Sequence, residues 1–312
     1  MSLKERVLAT MKSEDTESSF ELYVTRTPGY LWALVFRALH VHPIAVTLLS
    51  IIIGTLSGYF FSSDDLGMNL IGMGLLVWAN WYDCADGQLA RMTNQRTLVG
   101  RLLDGLAGDI WFLSIYLGLA WRIAPIPSWT ATWGWWIWLI LAYAGFICHA
   151  RQCALADYYR NIHLWFQLGR GRSELDTTEQ ENRRYEELGW RRGEWFEKMY
   201  LFFYRAYTRG QEEQTPRFQQ FFARLRTTYG DDVPQELRER FRQRSRPLMK
   251  YCNILTFDTR VGVLFLSLFI GQPIIYPLFE ILVLEPLRFY TRSRHEGFCR
   301  EFYNELVTRH EE

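Results

Sequence analysis

The segment Pro43–Phe61 constrains the fold of this chain more than any other part of its sequence. It reads PIAVTLLSIIIGTLSGYFF and carries no charged residue. A helix needs about 20 mostly apolar residues to cross a bilayer, because each residue rises about 1.5 Å and the hydrocarbon core is about 30 Å thick. The segment therefore predicts a transmembrane helix, and the four-residue spacing of Gly54 and Gly58 predicts close packing against another helix.

Further apolar segments predict that the chain crosses the membrane about six times. The predicted spans are residues 43–61, 66–82, 102–121, 133–149, 254–270 and 273–289. The mean hydropathy of −0.13 hides this pattern, because charged residues crowd the region between the fourth and fifth spans. We expect an all-α polytopic membrane protein with a helical cytoplasmic insertion.

The spans divide the chain into segments of different character. These are an N-terminus with an interfacial amphipathic helix (1–42), the first four spans (43–149), the insertion (150–250), the last two spans (251–291) and a tail (292–312). Within the insertion, helical stretches are predicted at 178–208, 211–228 and 234–246. The insertion is either a plain helical subdomain or a lid or membrane-surface element. Four aromatic residues support the second alternative: Trp190, Trp195, Phe202 and Phe203.

The distribution of positive charge predicts the orientation. The connection between the second and third spans carries Arg91, Arg96 and Arg101, whereas the turn between the first two carries Asp64 and Asp65. Because Lys and Arg accumulate on the cytoplasmic side, we expect this connection, both termini and the insertion to face the cytoplasm. The charged first 19 residues lack the apolar core of a signal peptide, so we expect the first span to target the chain. The expected location is a bacterial inner (plasma) membrane.

Charge and cysteine usage disfavour two other classes of site. A net charge of +1 gives no basic surface for nucleic acid, so no nucleic-acid partner is expected. The five cysteines form no CxxC pair, and we expect neither a zinc site with a histidine at ligand spacing nor a disulfide framework. They are interpreted as reduced thiols: Cys84, Cys148, Cys153, Cys252 and Cys299.

The connection between the second and third spans is the most informative stretch of the chain. Residues 83–109 read DCADGQLARMTNQRTLVGRLLDGLAGD, and Asp83 and Asp86, three residues apart on a helix, share one face. A carboxylate deep in the hydrocarbon boundary costs about 2.5–3.5 kcal/mol and two adjacent ones repel, so a cation should be present. Oxygen ligands favour magnesium, manganese or calcium, and Asp104 at the start of the third span would complete the cluster.

The small residues Gly87 and Ala90 would let a ligand approach this face, and Arg91 would hold a phosphate. A lone DxxDG sequence is common, and acidic residues at a helix end are usually solvated or capping. The whole pattern D-x2-D-G-x2-A-R-x8-G-x3-D, which includes Gly100 and lies between two spans, is far more specific.

This pattern resembles the signature of the CDP-alcohol phosphotransferases, which join a CDP-activated group to an alcohol and release CMP. Pro43 and Thr47 are similar to that family's first span, whereas Ile44 replaces an Asn that many members carry. The resemblance implies six spans, a cytoplasmic site, a homodimer and a Mg²⁺ or Mn²⁺ cofactor, as two ions. It also implies metal ligation by Asp83, Asp86 and Asp104, and CDP binding by Asp83, Gly87, Ala90, Arg91 and Gly100.

The sequence departs from the family at its last aspartate, the proposed general base and a metal ligand. Gly108 occupies that position and the nearest acid is Asp109, five residues after Asp104. Five residues turn an α-helix through about 500°, which leaves the two side chains about 140° apart. A π-bulge between Gly105 and Gly108 would restore their alignment, so we hypothesise that Asp109 is the base and a fourth metal ligand.

Acceptor binding has weaker signals. His149, Arg151 and Arg260 lie at predicted cytoplasmic span ends, where arginines more often only anchor the helix. Glu280, inside the sixth predicted span, indicates either an interior polar contact or a misplaced span boundary.

The expected reaction transfers a phosphatidyl group from CDP-diacylglycerol to a polar alcohol in phospholipid biosynthesis. CDP-choline or CDP-ethanolamine with a lipid acceptor is an alternative, and so is a non-catalytic membrane protein that binds nucleotide or metal. A transporter is disfavoured, because the carboxylates cluster at one membrane face and no inverted repeat is evident.

Overall fold

The computed structural model describes residues 13, 15–16, 20–127, 132–169, 175–190, 194–230 and 232–311, which are mostly helical and contain no strand. The predicted all-α fold is thus confirmed. Residues 1–12 lie outside these ranges, and they belong to the N-terminal stretch that was predicted not to be a signal peptide. The described chain forms two compact units. The first contains the residues up to His149 together with Asp258–Ile281, and the second contains Ala150–Phe257 and Leu282–Glu312.

Thirteen α-helices follow one another in the described part of the chain. They are α1 (Thr27–Ala38), α2 (Pro43–Phe61), α3 (Leu66–Thr93), α4 (Leu98–Ile123), α5 (Trp136–Ala142), α6 (Ala150–Leu168), α7 (Thr178–Glu187), α8 (Trp195–Gln214), α9 (Pro216–Tyr229), α10 (Gln235–Ile254), α11 (Phe257–Phe269), α12 (Ile275–Phe279) and α13 (Glu285–Glu311). Short π-helical segments precede α1, α6 and α13: Glu21–Arg26, Tyr143–His149 and Glu280–Leu284.

Four helical segments of the described chain are long and apolar enough to cross a bilayer. They are Pro43–Phe61, Val99–Ile123, Trp136–Leu168 and Gln235–Phe269. The polytopic architecture is therefore supported, while the count of six spans stays a prediction. The helix of the predicted second span runs on to Thr93, and the region of the sixth is divided among α12, a π-helical segment and α13.

The chain reversal between α3 and α4 places the two ends of the D-x2-D-G-x2-A-R-x8-G-x3-D pattern side by side. Helix α3 ends at Asn94, whose left-handed φ of 55° stops the helix. Three residues later, the Thr97 side chain accepts a hydrogen bond of 3.0 Å from the backbone N–H of Gly100 and starts α4. The short connection makes α3 and α4 neighbours, and so brings the end of one carboxylate-bearing helix to the start of the other.

Glycines set a close crossing of α2 and α4, as the spacing of Gly54 and Gly58 predicted. A Cβ atom at Gly58 would overlap both the side chain and the backbone of Ser114, and one at Gly118 would overlap the backbone of Gly58. Helices in lipid gain stability mainly from such close packing, since burial from water contributes little there. The crossing therefore fixes α4, which carries Asp104, against the first span.

The N-terminal helix α1 packs along α3 beside the DxxDG sequence. A Cβ atom at Gly29 would lie 2.7 Å from the Cβ of Cys84, and the indole N–H of Trp81 donates a 2.9 Å hydrogen bond to the carbonyl of Val24. Aliphatic and aromatic residues of both helices bury one another: Ala33, Phe36, Ala85 and Leu89. This helix therefore supports the carboxylate-bearing segment as well as being amphipathic.

The second unit contains the insertion and the C-terminal helix together. The predicted stretch 178–208 contains two helices, α7 and α8, and the predicted 234–246 stretch continues to Ile254. Arg240 in α10 donates hydrogen bonds of 2.8 and 2.6 Å to the carboxylate of Glu305 in α13. Residues predicted as a separate tail thus pack within the insertion unit. Four aromatic side chains of the insertion are exposed: Trp190, Trp195, Phe202 and Phe203.

A buried polar cluster lies in the first unit, around Glu280. Its carboxylate accepts hydrogen bonds from Tyr116 at 2.6 Å and Tyr276 at 2.8 Å and pairs with Arg260. Arg260 and Glu280 are both 0% exposed, and His149 Nδ1 lies 3.0 Å from the Arg260 guanidinium. Glu280 therefore makes an interior polar contact, which decides between the two interpretations of this residue.

Substitution of Gly58 tests the helix crossing. Gly58→Ala should lower the free energy of unfolding by about 1–3 kcal/mol, because the added methyl group forces α2 away from Ser114. Gly74→Ala is the control, since a Cβ there would meet no atom of the described chain outside its own helix backbone and neighbouring residues, and it should be neutral or slightly stabilising. Unfolding in mixed detergent micelles measures both, and equal effects would contradict the crossing.

Removal of one partner from the buried ion pair tests the polar cluster. Glu280→Gln should destabilise the chain by about 3–5 kcal/mol, because Arg260 would keep a buried charge without its counter-ion. Adding Arg260→Met should recover part of this loss in the same unfolding assay. A double variant less stable than Glu280→Gln alone would show that the pair is not the source of the effect.

Candidate active site

Three carboxylates from α3 and α4 converge in the first unit. Oxygen atoms of Asp83, Asp86 and Asp104 all lie within 4.8 Å of one another. Asp86 is buried at 3% exposure, Asp83 is half-buried and Asp104 is exposed. The three-residue spacing on α3 aligns the first two, and the turn between the helices adds the third.

The unsatisfied oxygens of this group fit a divalent cation. Asp83 Oδ1 and Asp86 Oδ2 are buried and have no hydrogen-bond partner among the described residues. Two like charges about 4 Å apart repel by about 4 kcal/mol at an effective dielectric constant of about 20. A positive ion removes this repulsion and fills the free lone pairs, and carboxylate oxygens are the ligands that Mg²⁺ and Mn²⁺ prefer.

The remaining residues of the pattern flank this group on the same helices. The Arg91 guanidinium lies over Gly87, with its nearest nitrogen 3.5 Å from where a Cβ atom would be, and Ala90 is half-buried. Gly100 lies in the first turn of α4, where a Cβ would be 3.8 Å from Ile44, the residue that departs from the family pattern. The positive charge of Arg91 therefore lies beside Gly87, on the side where this residue has no side chain.

Asp109 stands apart from the three carboxylates. Helix α4 is regularly α-helical from Leu98 to Ile123, so the predicted π-bulge between Gly105 and Gly108 is absent and that prediction was wrong. Without the bulge, Asp109 points away from Asp104 and is not a member of the carboxylate group. As placed here it does not act as a fourth ligand, and its exposed side chain instead interacts electrostatically with His149.

Gly105 and Gly108 leave open space along α4. Apart from the neighbouring residues and backbone of α4 itself, no atom of the described chain lies within 4 Å of a Cβ atom at either position. The two glycines occupy the stretch between Asp104 and Asp109, so a substrate group could lie directly against the helix there.

The three candidate acceptor residues belong to two different units. Arg260 is fully buried, and its charge is satisfied by Glu280, with His149 in the same cluster. Arg151 is exposed and belongs to the second compact unit. An acceptor phosphate would have to compete with Glu280 for Arg260, which makes Arg260 a poor anion site.

One residue beside the carboxylates escaped the sequence-based reasoning. Arg26, at the end of the π-helical segment before α1, interacts electrostatically with Asp83, and its carbonyl accepts a 3.2 Å hydrogen bond from the Gln88 side chain. The sequence signal for this proximity was Gly29 among the aromatic residues of α1, since a small residue within an apolar helical face indicates that another helix packs closely there.

A comparison with known families gives the site its context. Residues 40–166 match the CDP-alcohol phosphatidyltransferase family. The matched region contains the three clustered carboxylates, Arg91 and Asp109, and it excludes α1 and Arg260. No curated protein and no solved structure matches the chain. The chain thus combines four helices that are long and apolar enough to cross a membrane, among its described residues, with a region, residues 40–166, that is similar to the CDP-alcohol phosphatidyltransferase family.

Proposed function

We propose that this chain transfers a phosphatidyl group from CDP-diacylglycerol to the hydroxyl of a polar alcohol and releases CMP. The convergence of Asp83, Asp86 and Asp104 within a CDP-alcohol phosphatidyltransferase domain is the observation that carries the proposal. These residues follow an apolar helical stretch, so they would lie near the membrane boundary, where the pyrophosphate of a lipid-anchored donor is also found.

The clustered carboxylates would hold Mg²⁺ or Mn²⁺, as two ions. When bound, such ions neutralise the pyrophosphate and stabilise the CMP leaving group. Asp83 and Asp86 are suited to this role because each has a buried oxygen without a partner in the described chain. Asp104, being exposed, would be the ligand closest to solvent and substrate.

Arg91 and Gly87 would bind the donor. A guanidinium group can donate two parallel hydrogen bonds to a phosphate. Gly87 has no side chain, so the donor could approach the helix backbone beside this guanidinium. Ala90 and Gly100 would keep the same face accessible to the CDP group. Their role is to hold the donor still while its β-phosphorus remains open to attack.

Asp109 is proposed as the general base. The acceptor hydroxyl oxygen attacks the β-phosphorus, the bond from that phosphorus to the CMP oxygen breaks, and the hydroxyl proton passes to the Asp109 carboxylate. Its exposure and the open space at Gly105 and Gly108 support access of an acceptor. Because Asp109 lies outside the carboxylate group, it would act on the acceptor without holding metal.

The membrane side and assembly are proposals of the same kind. Arg91, Arg96 and Arg101 in the α3–α4 region support a site on the cytoplasmic side. A homodimer is proposed by analogy with the family.

Asp86→Asn should reduce kcat/KM at least about 100-fold, because the deepest carboxylate of the group would lose its charge. Release of CMP by purified protein measures this, and Mn²⁺ affinity, followed by electron paramagnetic resonance, should fall with it. Asp64→Asn, which changes an exposed acid before α3, should leave both unchanged. Full activity of Asp86→Asn would contradict the proposal.

Asp109→Asn should reduce kcat by about 10²–10⁴-fold, since no base would accept the hydroxyl proton. Mn²⁺ affinity should stay at the wild-type value, because Asp109 is not in the carboxylate group. Weakened Mn²⁺ binding would instead make Asp109 a ligand, and wild-type turnover would assign the base elsewhere.

The donor and acceptor are tested by supplying each candidate in turn. With CDP-diacylglycerol as the donor, the chain should release CMP with one polar acceptor and not with the others. The acceptors to be tested are glycerol phosphate, serine, inositol and inositol phosphate. CMP formed only from CDP-choline or CDP-ethanolamine with diacylglycerol would overturn the proposed donor. CMP from none of these combinations would overturn the enzyme assignment.

A further inference from the structure

Three metal-ligating side chains meet in the core of the second unit, apart from the carboxylate group. His295, Glu296 and Cys299 lie on one turn of α13, and their ligand atoms are all within 4.8 Å of one another. His295 Nδ1 lies 3.6 Å from Cys299 Sγ and 3.9 Å from Glu296 Oε1. His295 and Cys299 are 0% exposed and Glu296 is 8% exposed.

These distances approach those of a tetrahedral zinc site. With Zn–N of about 2.05 Å and Zn–S of about 2.3 Å, a tetrahedral ion separates the two ligand atoms by about 3.6 Å. The observed separation of His295 and Cys299 equals this value, and the Glu296 oxygen needs a shift of about 0.5 Å. A set of one imidazole, one thiolate and one carboxylate favours Zn²⁺ over Mg²⁺ or Ca²⁺.

A buried polar atom beside the cluster indicates that something is bound there. The Tyr159 hydroxyl has no hydrogen-bond partner within the described chain. The Tyr159 ring stacks on His295 with centroids 3.9 Å apart, and its hydroxyl interacts electrostatically with Glu296 and Cys299. A buried polar group left unsatisfied costs about 1–3 kcal/mol, so an ion or its bound water at this point would stabilise the unit.

Zinc binding fixes the protonation state of each ligand. A neutral imidazole and a thiolate are the forms of histidine and cysteine that ligate metals. Zn²⁺ binding would release one proton from Cys299, and the resulting thiolate and the Glu296 carboxylate would balance the two positive charges.

We propose that His295, Glu296 and Cys299 bind a structural Zn²⁺ ion, with the fourth position facing Tyr159 directly or through a water molecule. Glu296 also accepts hydrogen bonds from the backbone N–H groups of Arg217 at 2.7 Å and Phe218 at 3.4 Å. A carboxylate has lone pairs for both roles. The ion would therefore link α13 to the first turn of α9 and to Tyr159 in α6.

This proposal corrects an expectation from the sequence. The cysteines were interpreted as lacking a histidine at ligand spacing, but His295 and Cys299 are four residues apart and share one face of α13. The site goes beyond phosphotransfer, because its three proposed ligands, His295, Glu296 and Cys299, lie outside the family-matched region.

Elemental analysis of the full chain tests the proposal. Wild-type protein, purified in detergent with any affinity tag removed, should contain about one zinc ion per chain. His295→Gln and Cys299→Ser should lower the zinc content at least tenfold. Two controls should retain it: Cys148→Ser, which removes a buried thiol of the first unit, and Asp86→Asn, which alters the other metal centre.

A wild-type chain that contains no zinc and takes up none from a zinc-buffered solution would overturn the proposal, as would unchanged zinc content in Cys299→Ser. If the variants fail to fold, cobalt exchange into the wild-type chain decides instead. Co²⁺ should then give the near-ultraviolet charge-transfer band of a thiolate ligand, and its absence would exclude Cys299. None of these readouts requires CMP release, so they are independent of the proposed phosphotransfer.

Discussion

Repulsion among three carboxylates is the constraint on which the first unit depends. Asp83, Asp86 and Asp104 are held together by the turn between α3 and α4, although each would be more stable apart. Such an arrangement needs a rigid framework of helices around it, and either a bound cation or a proton on one carboxylate relieves the repulsion. The close packing of the supporting helices meets this need, and the arrangement suits the metal-dependent phosphate transfer that we propose.

Two different interactions supply that rigidity. Glycine contacts bring α2 against α4 without intervening side chains, and the Arg260–Glu280 pair fixes the polar interior beside Tyr116 of α4. A buried ion pair contributes little net stability but strongly disfavours any arrangement that separates its charges. Together these contacts hold α4 in one position, so that Asp104 stays beside α3 while Asp109 faces a different direction.

The sequence predicted those features that depend on local spacing. Apolar length identified the spans, and a three-residue interval placed Asp83 beside Asp86. Two contacts between distant segments were missed: the packing of α13 with the insertion and the packing of α1 with α3. Sequence periodicity shows which face of a helix is apolar but not which helix packs against it. Asp109 shows the limit most clearly, since its direction depends on whether α4 contains a bulge, and the residues there allow either geometry.

Location of Mn²⁺ by anomalous scattering tests the central claim most directly. Crystals of the chain grown with Mn²⁺ and a CDP-activated lipid should show manganese peaks ligated by Asp83, Asp86 and Asp104, with Asp109 outside the coordination sphere and facing the β-phosphate. A map without manganese at the three carboxylates, with the nucleotide bound, would contradict the account. Manganese ligated by Asp109 in place of Asp104 would contradict it equally.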